Sequence, residues 1–101
     1  MKPVRHLLHI TTKTGLMICV VLDGDTLSIK EIGMRIKDKF NETSVNRETI
    51  YRSLKTLAKH GVVFKISAGE PRKPDLYYLL VEKIHVDFMN NTLSFETRNP
   101  P

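Results

Sequence analysis

Asn46, Arg47, Thr49, Tyr51, Arg52 and Lys55 share one short stretch of the chain, and Arg72 and Lys73 follow further on. Guanidinium and ammonium groups grouped in this way hold phosphate oxygens. Arg can also reach a guanine edge through two parallel hydrogen bonds, and Asn and Thr read base edges beside it. The chemistry indicated is attachment to a polyanion, with no bond made or broken. The distribution of charge agrees: residues 1–45 hold seven basic and five acidic side chains, 46–73 seven and two, and 74–101 two and four. The chain's net +5 therefore comes from one segment. A surplus serving solubility alone would be spread out, whereas a localised field is what a polyanion binder needs.

Other chemistries find little support. The four His, at positions 6, 9, 60 and 85, meet no Cys or carboxylate at ligand spacing, so no metal site is expected. Cys19 stands alone in an apolar run and reads as a small buried hydrophobe suited to a reducing interior. A Gly-rich phosphate loop and a Cys–His pair are both missing, and the eleven carboxylates are scattered. Neither catalysis nor a cofactor is expected, and no small-molecule effector is evident. At 101 residues, 41% hydrophobic and 27% charged, the chain reads as one globular domain. The longest apolar run, Leu16 to Leu22, has seven residues, against the ~18 of a membrane span. Lys13, Thr14 and Gly15 interrupt Met1–Leu22, and no small-residue cleavage site follows, so a signal peptide is not expected. The expected location is cytoplasmic.

The elements that would position the cations can be read from caps and periodicity. Met1–Ile10 fits a short strand or a helical turn. Thr12 is an N-cap candidate for a helix over Lys13–Asp23 that contains Leu16 and Val20, although the β-branched Ile18, Val20 and Val21 also suit a strand. Asp23-Gly24-Asp25 turns the chain. Ser28-Ile29-Lys30-Glu31 is a capping box, and Ile29, Ile32, Ile36 and Phe40 continue it as an apolar stripe. Gly33 inside that helix costs about 1 kcal/mol relative to Ala, and the usual compensation is close approach by another helix. Asn46 caps a third helix, about 47–60, with Gly61 at its C′ position. Ile50, Leu54, Leu57 and Ala58 share one face of this helix and Arg52, Lys55 and Lys59 the other. Val62–Ser67 and Leu76–Val81 read as strands joined by a polar turn over Ala68–Asp75. The segment from Ile84 to Phe95 alternates as a second hairpin would, with an amphipathic helix as the rival reading, and Asn99-Pro100-Pro101 is expected to fray.

Helix, capped helix, turn, capped helix and basic-tipped hairpin form the element order of a winged helix-turn-helix, and Leu27–Leu80 resembles that DNA-binding family. Gly33 stands where the family commonly places a small residue, and Val45 matches its apolar turn residue. The run Thr49-Ile50-Tyr51-Arg52-Ser53-Leu54-Lys55-Thr56-Leu57-Ala58-Lys59-His60-Gly61-Val62-Val63 is similar to recognition-helix stretches of bacterial and archaeal regulators. The local echo is of the N-terminal domain of ferric-uptake regulators, without their metal-binding domain. The resemblance implies an α+β fold, a three-helix core with a β-hairpin wing and extra terminal elements. The core would span about 12–81, with 82–101 as a C-terminal extension and a dimerisation element.

The function this implies is sequence-specific binding of double-stranded DNA by a small transcriptional regulator. Its recognition helix, about 47–60, enters the major groove and its basic wing, about 68–75, reaches the backbone or minor groove. In that docking Asn46, Arg47, Thr49 and Arg52 contact bases or their margins, Tyr51 and Lys55 contact phosphates, and Arg72 and Lys73 act from the wing. A homodimer is the expected unit, because one such module buries only ~600–1,000 Å² on DNA. Met1–Ile10 and Ile84–Phe95 are the candidate dimer surfaces. A rival from another class is a winged-helix protein–protein interaction module within a larger transcription, replication or membrane-remodelling assembly. Single-strand binding is disfavoured by an aromatic content of 7% with no Trp, which leaves few stacking platforms.

Overall fold

The computed structural model describes residues 2–3, 12–90 and 92–98. Three side-chain caps start its three helices. Thr12 accepts a hydrogen bond from the Gly15 amide at 3.0 Å and opens α1 (Lys13–Leu22). Ser28 accepts from the Glu31 amide at 3.3 Å while the Glu31 carboxylate accepts from the Ser28 amide at 3.1 Å, and this reciprocal box opens α2 (Ile29–Phe40). Hydrogen bonding from Ser28 to the carboxylate, its amide first and its hydroxyl second, holds the Glu31 carboxyl below its ordinary pKa. Asn46 accepts from the Thr49 amide at 2.9 Å and opens α3 (Arg47–Lys59). Each cap satisfies an amide that the first helical turn would otherwise leave without a partner. The far end of α3 closes on Gly61, whose φ of +75° a side chain would resist. Gly61 donates to Ala58 and Val62 donates to Leu57, at 3.2 and 2.9 Å, closing the last turn.

Six short strands form two antiparallel sheets. β2 (Thr26–Leu27), β3 (Val63–Ile66) and β4 (Leu76–Leu79) lie in the order β2-β4-β3, with Thr26 opposite Tyr78 and Phe64 opposite Tyr78 on the other edge. β1 (Lys2–Pro3), β5 (Val81–Asp87) and β6 (Thr92–Thr97) lie in the order β1-β6-β5, with Ile84 opposite Phe95 and Asp87 opposite Thr92. Leu80 joins the two sheets: its amide donates to Val62 at 2.9 Å and its carbonyl accepts from Arg98 at 2.7 Å. The alternating segment after residue 81 is thus a hairpin, not the amphipathic helix. Its turn comes earlier than the alternation implied, so Phe88 stands in the turn and not on the strand. Of the expected opening element Met1–Ile10, only Lys2–Pro3 falls within the described residues, and Asn99–Pro101 lies outside them.

Helix wins over strand in Lys13–Leu22 because its apolar residues find partners on three sides, and packing outweighs the modest propensity cost of β-branching. Met17, Ile18, Val21 and Leu22 join Ile32, Ile36, Ile50, Leu54 and Leu57 in one core, which Leu27, Val62, Val63, Tyr77, Leu79, Val81 and Phe95 complete from the sheets. The apolar side of α1 is wider than the core needs: Leu16 and Val20 point outward, 44% and 46% exposed. Phe40, the last residue of the α2 stripe, is also partly exposed. Among the described residues no helix is long and apolar enough to cross a membrane.

Gly33 earns its place at the crossing of α2 and α3. A Cβ built there would sit 3.3 Å from the Ile50 Cδ1, tighter than ordinary van der Waals contact. Gly33→Ala is expected to be near neutral in urea denaturation, since the helix gains about 1 kcal/mol of propensity while the end of Ile50 must shift. Gly33→Leu is expected to cost ~1–3 kcal/mol, the usual penalty for overpacking; equal stability of the two variants would show that α3 does not press on this position.

Candidate nucleic-acid interface

Burial of Ile50, Leu54 and Leu57, each at most 1% exposed, fixes the rotation of α3 and so decides which side chains face solvent. Arg47, Tyr51, Lys55 and Lys59 recur every four residues and form a ridge that drifts by about 40° per step. All four are exposed. Among the described residues Arg47, Lys55 and Lys59 enter no ion pair, unlike most other cations near them. At Tyr51 the ridge comes near β3 of the β3–β4 hairpin. Lys65 on β3 has its pKa raised chiefly by its bond to Asp75, and the nearby Tyr77 and Tyr51 phenols add to the effect.

The other sequence-predicted residues at α3 have partners of their own. Arg52 projects about 140° around the helix from Arg47 but only about 60° from Lys55 and about 20° from Lys59, so it shares the outer side of α3 with the C-terminal half of the ridge. The Arg52 Nε donates to Glu48 at 3.1 Å, and Arg52 lines a hollow of about 170 Å³ with Thr12, Ser53 and Thr56. Asn46 and Thr49 are turned toward each other: the Asn46 Oδ1 accepts from both the Thr49 amide and the Thr49 Oγ1, at 2.9 and 3.0 Å. The Asn46 Oδ1 therefore serves the helix cap, which leaves its Nδ2 as the group that can meet a base edge.

In the loop 67–75 between β3 and β4, Asp75 ties the base together. Its carboxylate accepts from the Ala68 amide at 3.1 Å and pairs with Lys65 at 3.3 Å, and both interactions lower its pKa, the Ala68 amide most. Pro71 and Arg72 lead the chain through the turn, where the Lys73 amide reaches the Glu70 carbonyl at 3.4 Å. Arg72 adopts φ +75°, a conformation that glycine or asparagine takes more readily. It stands exposed with no ion pair among the described residues, while Lys73 pairs with Glu70 at 3.1 Å. Pairs this exposed contribute little and open readily to a competing anion.

The structure adds cations that were not singled out from sequence. A cleft of about 320 Å³ between α2 and α3 is floored by Gly33, Met34, Val45 and Ile50 and rimmed by Lys30, Lys37 and Arg47. The signal was present, because Lys30 and Lys37 are seven apart and flank Gly33 on one helical face. Their proximity to Arg47 depends on how sharply the chain turns at Asn41, which sits in the left-handed region at φ +51°.

No family model and no curated protein matches the sequence. Among solved structures the fold is similar to that of ytfH from Salmonella typhimurium, named as a candidate transcriptional regulator. The TM-score is 0.58 at 22% identity, over 72% of this chain and 60% of that one. The protein is thus a small α+β chain, with three helices and antiparallel sheets among the described residues, whose fold is similar to that neighbour's, and it spans about 60% of the neighbour's length.

The turn between α2 and α3 is held by Glu42. Its carboxylate bonds the Lys13 ammonium at 2.6 Å, the Ser44 hydroxyl at 2.5 Å and the Ser44 amide at 3.2 Å. These bonds, led by Lys13, pull its pKa down to about 2 from an ordinary 4.5. A carboxyl whose pKa is lower in the folded state stabilises fully above its unfolded pKa, and that contribution disappears as pH falls through the folded value. Glu42→Gln is therefore expected to be less stable than wild type above pH 4.5, with the two acid-unfolding curves converging as pH approaches 2. Parallel curves at every pH would show that the ionised carboxylate does not brace the turn.

Proposed function

We propose that the protein is a winged helix-turn-helix module that binds double-stranded DNA and serves as a small transcriptional regulator inside the cell, without catalysing a reaction. The observation that carries this reading is the unpaired cationic ridge Arg47–Lys55–Lys59 on a helix whose opposite face is buried, beside a hairpin that holds Arg72 at its turn. The order α1-β2-α2-α3-β3-β4 with strands arranged β2-β4-β3 supports the winged-helix reading, and the likeness to ytfH supports a regulator at the level of fold. In this docking α3 enters the major groove, Tyr51 and the ridge lysines hold phosphates, and the hairpin reaches the adjacent backbone. Lys30 and Lys37 extend the positive field toward α2. Arg52 and Lys73 are secondary contacts that must first leave Glu48 and Glu70. Two copies acting on two half-sites would double the contact area of a single module.

Salt titration of duplex binding tests the reading. About five phosphate contacts per subunit give a slope of log K against log salt near about −4.5. Replacing Lys55, Lys59 and Arg72 together by Ala is expected to flatten that slope by roughly 2.7, at ~0.9 per lost contact, and Arg52→Ala to change it by less than about one. An unchanged slope in the triple variant overturns this interface. Failure of the wild type to retain any duplex favours the protein–protein interaction module instead.

A further inference from the structure

Phe88 and Met89, at the tip of the β5–β6 hairpin, are 88% and 97% exposed, the two most exposed large apolar side chains among the described residues. Asp87 gives the tip a defined shape: its carboxylate accepts from the Asn90 amide at 3.1 Å and from the Asn90 Nδ2 at 2.8 Å. A paired apolar projection of this kind marks a contact site more often than a chance exposure. An apolar wedge entering DNA is one use of such a tip, but Asp87, Glu82 and Glu96 outnumber Lys83 along this hairpin, and phosphates would repel them.

Charge also discriminates among the surfaces of this protein open to the tip. The outward side of α1 offers Leu16 and Val20, yet the hollow beside Val20 sets Asp23, Asp25 and Asp38 against Arg35 and Lys39, with Arg35 already paired to Asp25, so it offers Asp87 no net positive charge. The α2–α3 cleft has the opposite character. Its apolar floor includes Met34, 58% exposed, its rim carries Lys30, Lys37 and Arg47, and its one carboxylate, Glu42, is already held by Lys13. At about 320 Å³ it exceeds the ~150 Å³ apolar cavity that holds a benzene ring.

We infer that the β5–β6 tip of one copy seats Phe88 and Met89 in the α2–α3 cleft of a second copy, with Asp87 facing Lys30, Lys37 and Arg47. This rests on the pairing put forward under the proposed function and names the surface that makes it. Reciprocal exchange of arms gives two identical contacts related by a two-fold axis. Arg47 then serves the pair, while Lys55, Lys59 and Arg72 remain available to the polyanion.

Sedimentation velocity of the full chain over a concentration series tests the contact, with circular dichroism checking that each variant folds. Wild type is expected to self-associate. Phe88→Ser/Met89→Ser and Lys30→Glu/Lys37→Glu are each expected to weaken association at least about tenfold. Mixing the two double variants should restore part of it, because one intact arm then meets one intact cleft. Association that survives in either variant, or a mixture that stays monomeric, overturns the contact while leaving pairing through another surface intact. A wild type that is monomeric at every concentration overturns contact and pairing together. Duplex binding is read separately by the salt titration on wild type and on the tip variant, because Lys30→Glu/Lys37→Glu also removes positive field from the polyanion face. If the tip variant sediments as wild type but loses duplex, the tip is a DNA wedge and the inference is wrong.

Discussion

The rotation of α3 about its own axis governs the character of this molecule's surface. Ile50, Leu54 and Leu57 fill the space between α1, α2 and the first sheet so completely that the helix has one allowed orientation. The drift of an α-helix then places every fourth residue from Arg47 along a single exposed ridge. Had the buried residues fallen one position later, the ridge would have run through Glu48, Arg52 and Thr56 and lost most of its charge. Gly33 belongs to the same constraint, since the close approach of Ile50 there brings α3 against α2 and closes the cleft that Arg47 lines.

Intramolecular pairing sorts the cations. A count of basic residues between 46 and 73 treats them alike, but Arg52, Lys65 and Lys73 each face a carboxylate of their own chain while Arg47, Lys55, Lys59 and Arg72 face none among the described residues. The exposed pairs are weak, so they do not remove their cations from a polyanion's reach. They set an order of availability: the unpaired groups can meet a phosphate at no cost in broken contacts, and the paired ones must exchange one anion for another.

Much of this was legible in the sequence because local chemistry dictates it. The capping box at Ser28, the Asn46 cap, the Gly61 terminus and the small residue at position 33 each follow from a backbone group needing a partner or a side chain needing room. The positions of Asn46 and Arg52 relative to the ridge were less accessible. A residue able to cap a helix can also read a base, and the observed bond to Thr49 shows that the Asn46 Oδ1 serves the cap. Arg52 and Arg47 both lie on the polar side of a two-way division of the helix, and a full angular account is needed to separate them. The cleft was hidden for a different reason, because it joins residues of α2 to Arg47 across a turn whose sharpness rests on a left-handed Asn41.

The second hairpin shows how a structure can attach an arm without loosening its core. Leu80 is the single residue between β4 and β5, and its bonds to Val62 and Arg98 tie that link to the ends of both sheets. Arg98, just past β6, returns the chain to the core by donating its amide to Leu80 at 2.7 Å and a guanidinium nitrogen to Asp23 at 3.2 Å, with the guanidinium 6.0 Å from the Tyr78 ring. Val81 and Phe95 lie in the common core, so the base of the arm is anchored by burial as well as by hydrogen bonds. Midway along, His85 bridges to Glu96 at 2.8 Å and ties one strand to the other. Only beyond these ties does the hairpin reach Phe88 and Met89. Apolar side chains exposed on a loose terminus would sample many directions, and ordering them on contact would cost entropy. Held on an anchored hairpin, they are presented with much of that cost already met by folding, as an interaction surface requires.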